Sequence, residues 1–235
     1  MNVILVSEAD YCGPSTVRLE GRRLQHVTKV LRAGLGHELR VGLLGGALGT
    51  GRVVALDDEK AELEISLDIA PPAPLPLALF LALPRPKAIP RVLQMAANLG
   101  VKRIFLFNSY RVEKIYWSCQ QLGADEMLRA CVLGLEQARD TVLPEIKLCR
   151  LFKPFVEDEL PELIKGTEAL VAHPAAQTKC PFDSSRPVSL AIGPEGGFID
   201  YELALLERAG FTPVRSVERI LKVETAVASL IGRLF

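Results

Sequence analysis

Two short motifs carry residue types that could bind a ligand and act on it. The first, Ile192-Gly193-Pro194-Glu195-Gly196-Gly197-Phe198, combines three glycines and a proline with one carboxylate. An apolar run at residues 188–192 leads into it, and a helix-like run at residues 200–209 follows. A glycine-rich turn between a strand and a helix directs free backbone N–H groups at a ligand. Taken alone, the motif is more typical of an ordinary strand-to-helix turn.

A second motif makes a plain turn the weaker interpretation. Arg219-Ile220-Leu221-Lys222-Val223-Glu224-Thr225-Ala226 places two cations beside a carboxylate at the start of the last predicted helix. His173 ends a predicted strand and Arg139 ends a long helix, so each could touch a ligand. The alternatives are a histidine at a loop rim and an arginine that meets a helix dipole.

Composition argues against several kinds of site. Basic and acidic residues number 28 each, so a polyanion would have to bind a local patch. The three histidines have no second ligand at metal spacing, and we expect no metal. The five cysteines form no CxxC pair, which predicts buried free thiols in a reducing compartment. We see no export signal and no long apolar run, so we expect a cytoplasmic protein without membrane contact.

Residues 1–70 have the pattern of a small β-rich domain. Strands are predicted at residues 38–44, 50–56 and 61–67, and the last of these alternates apolar and polar residues. Residues 22–31 suit one helix, whose apolar residues lie at helical spacing: Leu24, Val27, Val30 and Leu31.

Residues 71–76 form a proline-rich linker, because closely spaced prolines fit neither a helix nor a central strand. In residues 77–235, predicted strands alternate with predicted helices. This α/β alternation indicates a mostly parallel sheet with helices on both faces. We expect strands at residues 77–83, 103–107, 146–151, 169–172 and 188–192, and helices at residues 88–99, 124–139, 154–165, 200–209 and 223–234.

Basic residues are concentrated on both sides of the linker. Between residues 18 and 40, six basic residues face only two acidic ones, and residues 85–114 hold a second basic run. This segregation favours a polyanionic substrate such as RNA. The alternative is a solvated helix face.

The two C-terminal motifs together closely resemble the ribosomal RNA small subunit methyltransferase E family. Glu136-Gln137-Ala138-Arg139 and Leu99-Gly100-Val101 are similar to further motifs of that family. His26 with Val30-Leu31-Arg32 resembles the signature of its PUA-like RNA-binding domain. The resemblance implies a SPOUT-type α/β domain, whose C-terminal segment forms a trefoil knot, at residues 77–235. It also implies a PUA-like β-barrel at residues 1–70, and a homodimer.

That family methylates N3 of a uridine in 16S ribosomal RNA with S-adenosyl-L-methionine. The resemblance therefore implies RNA of the 30S subunit as partner, and Glu195 as a catalytic carboxylate or a brace of its loop. The implied cofactor-binding residues are Val171, Ala172, His173, Ile192, Gly193, Pro194, Gly196, Gly197, Ile220, Leu221, Lys222, Val223 and Thr225. The implied RNA-binding residues are Arg22, Arg23, His26, Lys29, Arg32, Arg139 and Arg219.

The chain departs from the family pattern at Met95, Asn98, Val217 and Glu218. Two alternatives therefore stay open. One is a SPOUT enzyme that methylates another ribosomal or transfer RNA nucleotide. The other is a catalytically silent RNA-binding or ribosome-assembly factor.

Overall fold

The computed structural model describes residues 1–235, and the chain divides into two compact units. The N-terminal unit comprises Met1–Ala73 and Val132–Leu143, and the C-terminal unit comprises Pro74–Cys131 and Pro144–Phe235. One boundary thus falls inside the proline-rich segment 71–76. The sequence pattern had placed residues 132–143 in the C-terminal domain, whereas in the structure they belong to the N-terminal unit.

Buried polar contacts explain why residues 132–143 belong to the N-terminal unit. The carboxylate of Glu136, 1% exposed, receives two hydrogen bonds from the Arg22 guanidinium, at 2.8 and 2.9 Å. The Glu136 carbonyl accepts a bond from the backbone N–H of Asn2. Thr141 is fully buried, and its hydroxyl donates to the Gly46 carbonyl at 2.6 Å. Local periodicity cannot predict partners so distant in the chain.

The N-terminal unit is built on a five-stranded sheet in the order β1-β3-β4-β5-β2. Its strands are β1 Ile4–Val6, β2 Thr16–Leu19, β3 Glu38–Leu43, β4 Leu48–Leu56 and β5 Ala61–Ile69. β1 pairs in parallel with β3, and the other pairs are antiparallel. The three predicted strands are confirmed. β1 and β2 were not predicted, because three or four residues are too few to show alternation.

The predicted helix at residues 22–31 has a different geometry in its second half. α1, Gly21–Gln25, continues into a π turn, His26–Val30, which the backbone N–H of Leu31 closes by bonding the His26 carbonyl at 2.9 Å. Each π turn adds a residue to the helical repeat and rotates the residues that follow. Leu24 and Val27 are consequently buried, whereas Val30 is exposed, contrary to the predicted apolar face.

The C-terminal unit is built on a six-stranded, fully parallel sheet in the order β11-β9-β10-β6-β7-β8. Every residue of β6 and β10 is buried, so both faces of the central sheet are covered. This confirms the predicted mostly parallel α/β sheet. The strands are β6 Leu77–Ala82, β7 Arg103–Phe107, β8 Glu145–Cys149, β9 Glu168–Ala172, β10 Val188–Ile192 and β11 Thr212–Val214.

The remaining helices are α2 Ile89–Asn98, α3 Ala124–Ala138, α4 Phe152–Pro154, α5 Leu160–Leu163, α6 Asp200–Arg208 and α7 Val223–Leu234. The helix predicted at residues 154–165 is divided into α4, a π turn at Phe155–Glu159, and α5. Pro161 has no N–H for an intrahelical bond, which explains an irregular turn just before it. β11 was not predicted because Pro213 interrupts its pattern. A proline is tolerated there because β11 is an edge strand.

The cysteines are all free, but not all are buried. Burial raises the pKa of the Cys131, Cys149 and Cys180 thiols to about 11. Cys12 is exposed and Cys119 is partly exposed, which corrects the prediction that every thiol is buried.

No helix combines the length and apolar character that crossing a membrane requires.

Candidate functional site

The functional residues of the C-terminal unit gather at one edge of its sheet. Parallel strands end at the same edge, so the loops that follow β9, β10 and β11 are neighbours there. A cavity of about 380 Å³ opens between them. Its walls come from residues 172–175, 192–198, 214–217 and 219–221, from one face of α7, and from Arg111. The strand order also reverses direction beside β6 and β10, which is where open α/β sheets bind ligands.

The glycine-rich motif after β10 forms the tight turn at the bottom of this cavity. The backbone N–H of Gly197 donates to the Pro194 carbonyl at 2.8 Å, and Gly197 has a φ of +74°, which glycine adopts without strain. The ring of Phe198 stacks on Phe107, with centroids 6.1 Å apart. A Cβ at Gly193 would lie 3.2 Å from the Phe198 ring. Phe198 therefore fixes the turn to the sheet, and glycine lets the backbone approach it.

A buried carboxylate ties this turn to the loop after β7. Glu202, in the first turn of α6, is 2% exposed and accepts bonds from the Tyr110 backbone N–H at 2.7 Å and the Ser109 hydroxyl at 3.2 Å. It also accepts the backbone N–H of Ile199 at 3.1 Å, which is half of a capping box. Next to this anchor, the Arg111 guanidinium donates to the Gly196 carbonyl. Glu202 thus helps to hold Arg111 against the cavity wall.

Glu195 is exposed at the cavity and joins two loops. Its Oε1 accepts a hydrogen bond from the backbone N–H of Arg85 at 3.0 Å. Arg85 follows β6 and Glu195 follows β10, so the bond bridges the point where the strand order reverses. Glu195 therefore has a bracing contact, which occupies only one of its two carboxylate oxygens.

Arg215 follows β11 and also lines the cavity. Its backbone N–H donates to the Thr178 carbonyl, and its carbonyl accepts from the Cys180 N–H, both at 2.9 Å. Its side-chain Nε is buried without a hydrogen-bond partner. Such a donor is available to a ligand acceptor.

Most of the predicted cofactor-binding residues are brought together at this cavity. Ten of the thirteen line it: Ala172, His173, Ile192, Gly193, Pro194, Gly196, Gly197, Ile220, Leu221 and Val223. Val171 does not line it, because it lies within β9 and is fully buried. Lys222 and Thr225 are exposed at the start of α7 and are not among the lining residues.

The predicted RNA-binding residues divide between the two units. Arg219 is exposed at the cavity. In the N-terminal unit Lys29, Arg32 and Arg139 are exposed. Arg22 pairs with Glu136, and Arg23 pairs with Asp10 at 2.6 Å, so these two arginines also have structural partners.

His26 is a partly buried residue of the N-terminal unit. Burial lowers its pKa, and the nearby N-terminal amino group lowers it further. Its Nε2 is buried with no hydrogen-bond partner. A neutral imidazole is consistent with these surroundings.

Sequence reasoning missed Arg215 and the role of Glu202. Glu202 had a detectable signal, because an acidic residue three positions after a helix N-cap, here Ile199, is part of a capping box. No local sequence signal indicated Arg215, because this residue follows β11, a strand whose pattern Pro213 interrupts.

No group of three or more His, Cys, Asp or Glu side chains is placed to hold a metal ion.

Comparison with known proteins gives a consistent result. Residues 71–234 match the family described as RNA methyltransferase domain. Ribosomal RNA small subunit methyltransferase E of Treponema pallidum is 26% identical over 236 residues, covering 97% of this chain and 88% of that protein. The protein of the same name from Synechocystis is 27% identical over 220 residues, covering 90% and 70%.

Among solved structures, ribosomal RNA small subunit methyltransferase E of Neisseria gonorrhoeae bound to S-adenosyl methionine has a TM-score of 0.75 at 21% identity. The similarity covers 98% of this chain and 95% of that one, and at this identity it shows a shared fold. The resemblance predicted from the sequence motifs is confirmed by these relatives.

Proposed function

The chain belongs to the RNA methyltransferase domain family, and on that premise we propose that it methylates N3 of a uridine in 16S ribosomal RNA with S-adenosyl-L-methionine. The observation that carries the proposal is the cavity at the carboxyl edge of the parallel sheet. Both motifs found in the sequence line it, although 20 residues separate them. The names of the curated relatives, which cover most of the chain, support ribosomal RNA of the small subunit as substrate.

The cavity suits this cofactor in size and chemistry. Its volume of about 380 Å³ lies within the usual range of small-molecule sites. Glycines bring backbone groups to the wall, apolar side chains such as Ile192 and Leu221 offer a surface for an aromatic base, and the unpartnered Nε of Arg215 can donate a bond. When bound, S-adenosyl-L-methionine supplies an electrophilic methyl group, so the protein must mainly position the reactants.

The residues of the cavity rim then act on the nucleotide. N3 of uracil carries a proton and lies on the base-pairing edge, so the base must be unpaired or flipped out of a helix. Glu195 is the only carboxylate among the residues that line the cavity, and we assign it the removal of this proton. Its Oε2 would accept the proton, because Oε1 receives the bond from Arg85. Arg219 would stabilise negative charge on the uracil oxygens.

The exposed cations of the N-terminal unit would bind the RNA backbone. Lys29 lies within the π turn, Arg32 follows it, and Arg139 is exposed in the turn directly after α3. Contacts from such residues to phosphates position a protein on RNA without reading its sequence. We assign this unit, with its five-stranded sheet, to the PUA-like class of β-barrel.

We also propose the trefoil knot of the SPOUT fold. Support comes from residues 180–184, which follow β9 and contact the last turn of α7. The backbone N–H groups of Asp183 and Ser184 donate to the carbonyls of Arg233 and Leu234, and Nε of Arg233 donates to the Cys180 carbonyl. A segment held this closely around the C-terminal helix is consistent with a chain threaded through a loop.

A homodimer in the cytoplasm completes the proposal. Ile220 is 85% exposed and Val217 is 45% exposed, although both are apolar and line the cavity. Exposed apolar side chains at a ligand cavity suit coverage by a second subunit. Light scattering coupled to size exclusion measures the assembly, and a mass of one chain would contradict this part of the proposal.

The function is tested by methyl transfer from radiolabelled S-adenosyl-L-methionine to three substrates in parallel. These are 30S subunits that lack the native modification, naked 16S ribosomal RNA, and unmodified transfer RNA. We expect label in 16S ribosomal RNA. Label in transfer RNA alone would favour the alternative substrate. No binding of S-adenosylhomocysteine, together with no transfer to any RNA, would favour a silent RNA-binding factor.

A further inference from the structure

The cavity of the C-terminal unit carries more positive than negative charge. Arg111, Arg215 and Arg219 line it, against the single carboxylate of Glu195. Guanidinium groups form their strongest hydrogen bonds with oxyanions. The wall therefore favours a ligand that presents an oxyanion to at least one of these arginines.

Arg215 differs from the other two arginines in its surroundings. Arg111 already donates to the Gly196 carbonyl, and Arg219 is exposed to solvent. Nε of Arg215 is buried and has no hydrogen-bond partner. A charged donor that loses water without gaining an acceptor is unfavourable, and a ligand acceptor at this guanidinium would remove that cost.

The main chain of Arg215 is fixed on both sides. Its N–H and carbonyl bond Thr178 and Cys180, and it directly follows β11, whose register with β9 is defined. A side chain that starts from a fixed backbone at a cavity wall is well placed to orient a ligand. Arg215 follows β11 and Glu195 follows β10, and β9 lies between these two strands. The guanidinium and the carboxylate therefore start from separate parts of the cavity wall.

We propose that Arg215 binds the carboxylate of the amino-acid part of S-adenosyl-L-methionine. The proposal rests on the proposed function. An RNA phosphate offers the same oxyanion chemistry, but the cavity already presents an exposed cation suited to a phosphate backbone, Arg219. The buried donor of Arg215 suits a small ligand held inside the cavity.

The test compares two ligands by calorimetry: S-adenosylhomocysteine and its decarboxylated analogue, which lacks only the carboxylate. The proteins are wild type, Arg215→Met, Arg215→Lys and the control Arg208→Met, which removes an exposed arginine of the same unit away from the cavity. We expect Arg215→Met to weaken S-adenosylhomocysteine at least about tenfold, as loss of a charge-assisted bond predicts. Affinity for the decarboxylated analogue should stay within about twofold, because that ligand never made the bond. Arg215→Lys should retain part of the affinity, and Arg208→Met all of it.

Three outcomes would overturn the inference. Equal losses for both ligands would mean that Arg215 only supports the fold. Unchanged S-adenosylhomocysteine affinity, with weaker filter binding of 16S ribosomal RNA, would assign the arginine to a phosphate. If the wild-type protein binds neither ligand, the proposed function fails together with the role of Arg215. The first two outcomes, by contrast, overturn only the role of Arg215.

Discussion

Glu195 can brace a loop, move a proton, or do both, and its bond to Arg85 shows how to separate these roles. Glu195→Gln keeps a carbonyl oxygen that can accept the Arg85 N–H, but removes the basic carboxylate. We expect turnover to fall about 10²- to 10⁴-fold, the usual contribution of a general base. S-adenosylhomocysteine affinity should stay within about twofold, since the bracing bond can persist. Single-turnover methyl transfer and calorimetry measure the two quantities.

Two companion variants define the controls. Glu195→Ala removes the bracing bond as well, and should lower both turnover and affinity. Glu207→Gln changes an exposed carboxylate on α6 and should change neither. Full turnover of Glu195→Gln would show that Glu195 is a brace only.

His26 makes stability depend on pH in a defined direction. Burial lowers its pKa in the folded state, so the unfolded chain binds a proton more readily. The stability associated with a neutral His26 is fully present above the unfolded pKa of about 6.5. It is lost as the pH falls from there through the lower pKa of the folded state. We expect the melting temperature to fall between pH 7.5 and 5.5, and His26→Gln to reduce that fall. Calorimetric melting at both pH values measures it.

The control is Gln25→Ala, which changes the exposed, non-titrating neighbour of His26. It should leave the pH dependence of melting as it is in wild type. Identical pH dependence in wild type and His26→Gln would rule out His26 as its source.

At the scale of elements, the glycine-rich turn depends on a backbone conformation that only glycine adopts easily. Gly197 has a φ of +74°, and a Cβ there would meet few atoms, so Gly197→Ala tests conformation rather than crowding. We expect a loss of roughly 1–2 kcal/mol of folding free energy, the cost of a left-handed L-residue, and weaker S-adenosylhomocysteine binding. Chemical denaturation and calorimetry measure the two effects.

Gly232 provides the matched control. It lies in α7 with open space around its Cβ position, and alanine favours a helix over glycine by up to about 1 kcal/mol. Gly232→Ala should therefore be neutral or stabilising. Equal destabilisation by both substitutions would contradict the role assigned to the turn.

Elements were predictable where the signal was local. β7, β10 and α7 match the predicted bounds, because uninterrupted apolar runs and helical spacing define them. Pro213 concealed β11, and the π turn at His26–Val30 turned Val30 away from the core. Neither the strand β11 nor the exposure of Val30 follows from periodicity, because both depend on contacts with other parts of the chain.

The site was predictable to the extent that its residues lie in compact motifs. The Gly193–Phe198 and Arg219–Ala226 segments meet at one cavity, as their resemblance to a family implied. Val171 shows the limit of motif transfer, since its side chain is buried in the sheet. Arg111 and Arg215 reach the site through contacts between distant parts of the chain, which no local pattern encodes.

At the scale of the whole molecule, the segment at residues 132–143 joins the N-terminal unit through the ion pair of Arg22 with the buried Glu136, and through the buried Thr141. The proline-rich segment marks the first boundary between the units. It gives no indication that the chain returns to the N-terminal unit at residues 132–143. In the proposed function, the basic residues of the N-terminal unit would hold RNA, and the cavity of the C-terminal unit would hold the methyl donor.

Nucleoside analysis tests the central claim most directly. 30S subunits that lack the native modification are incubated with the protein and S-adenosyl-L-methionine, and the digested 16S ribosomal RNA is analysed by mass spectrometry. The account predicts 3-methyluridine in wild-type reactions and its near absence with Glu195→Gln. A methyl group on another atom or another base, or no methylated nucleoside at all, would contradict it.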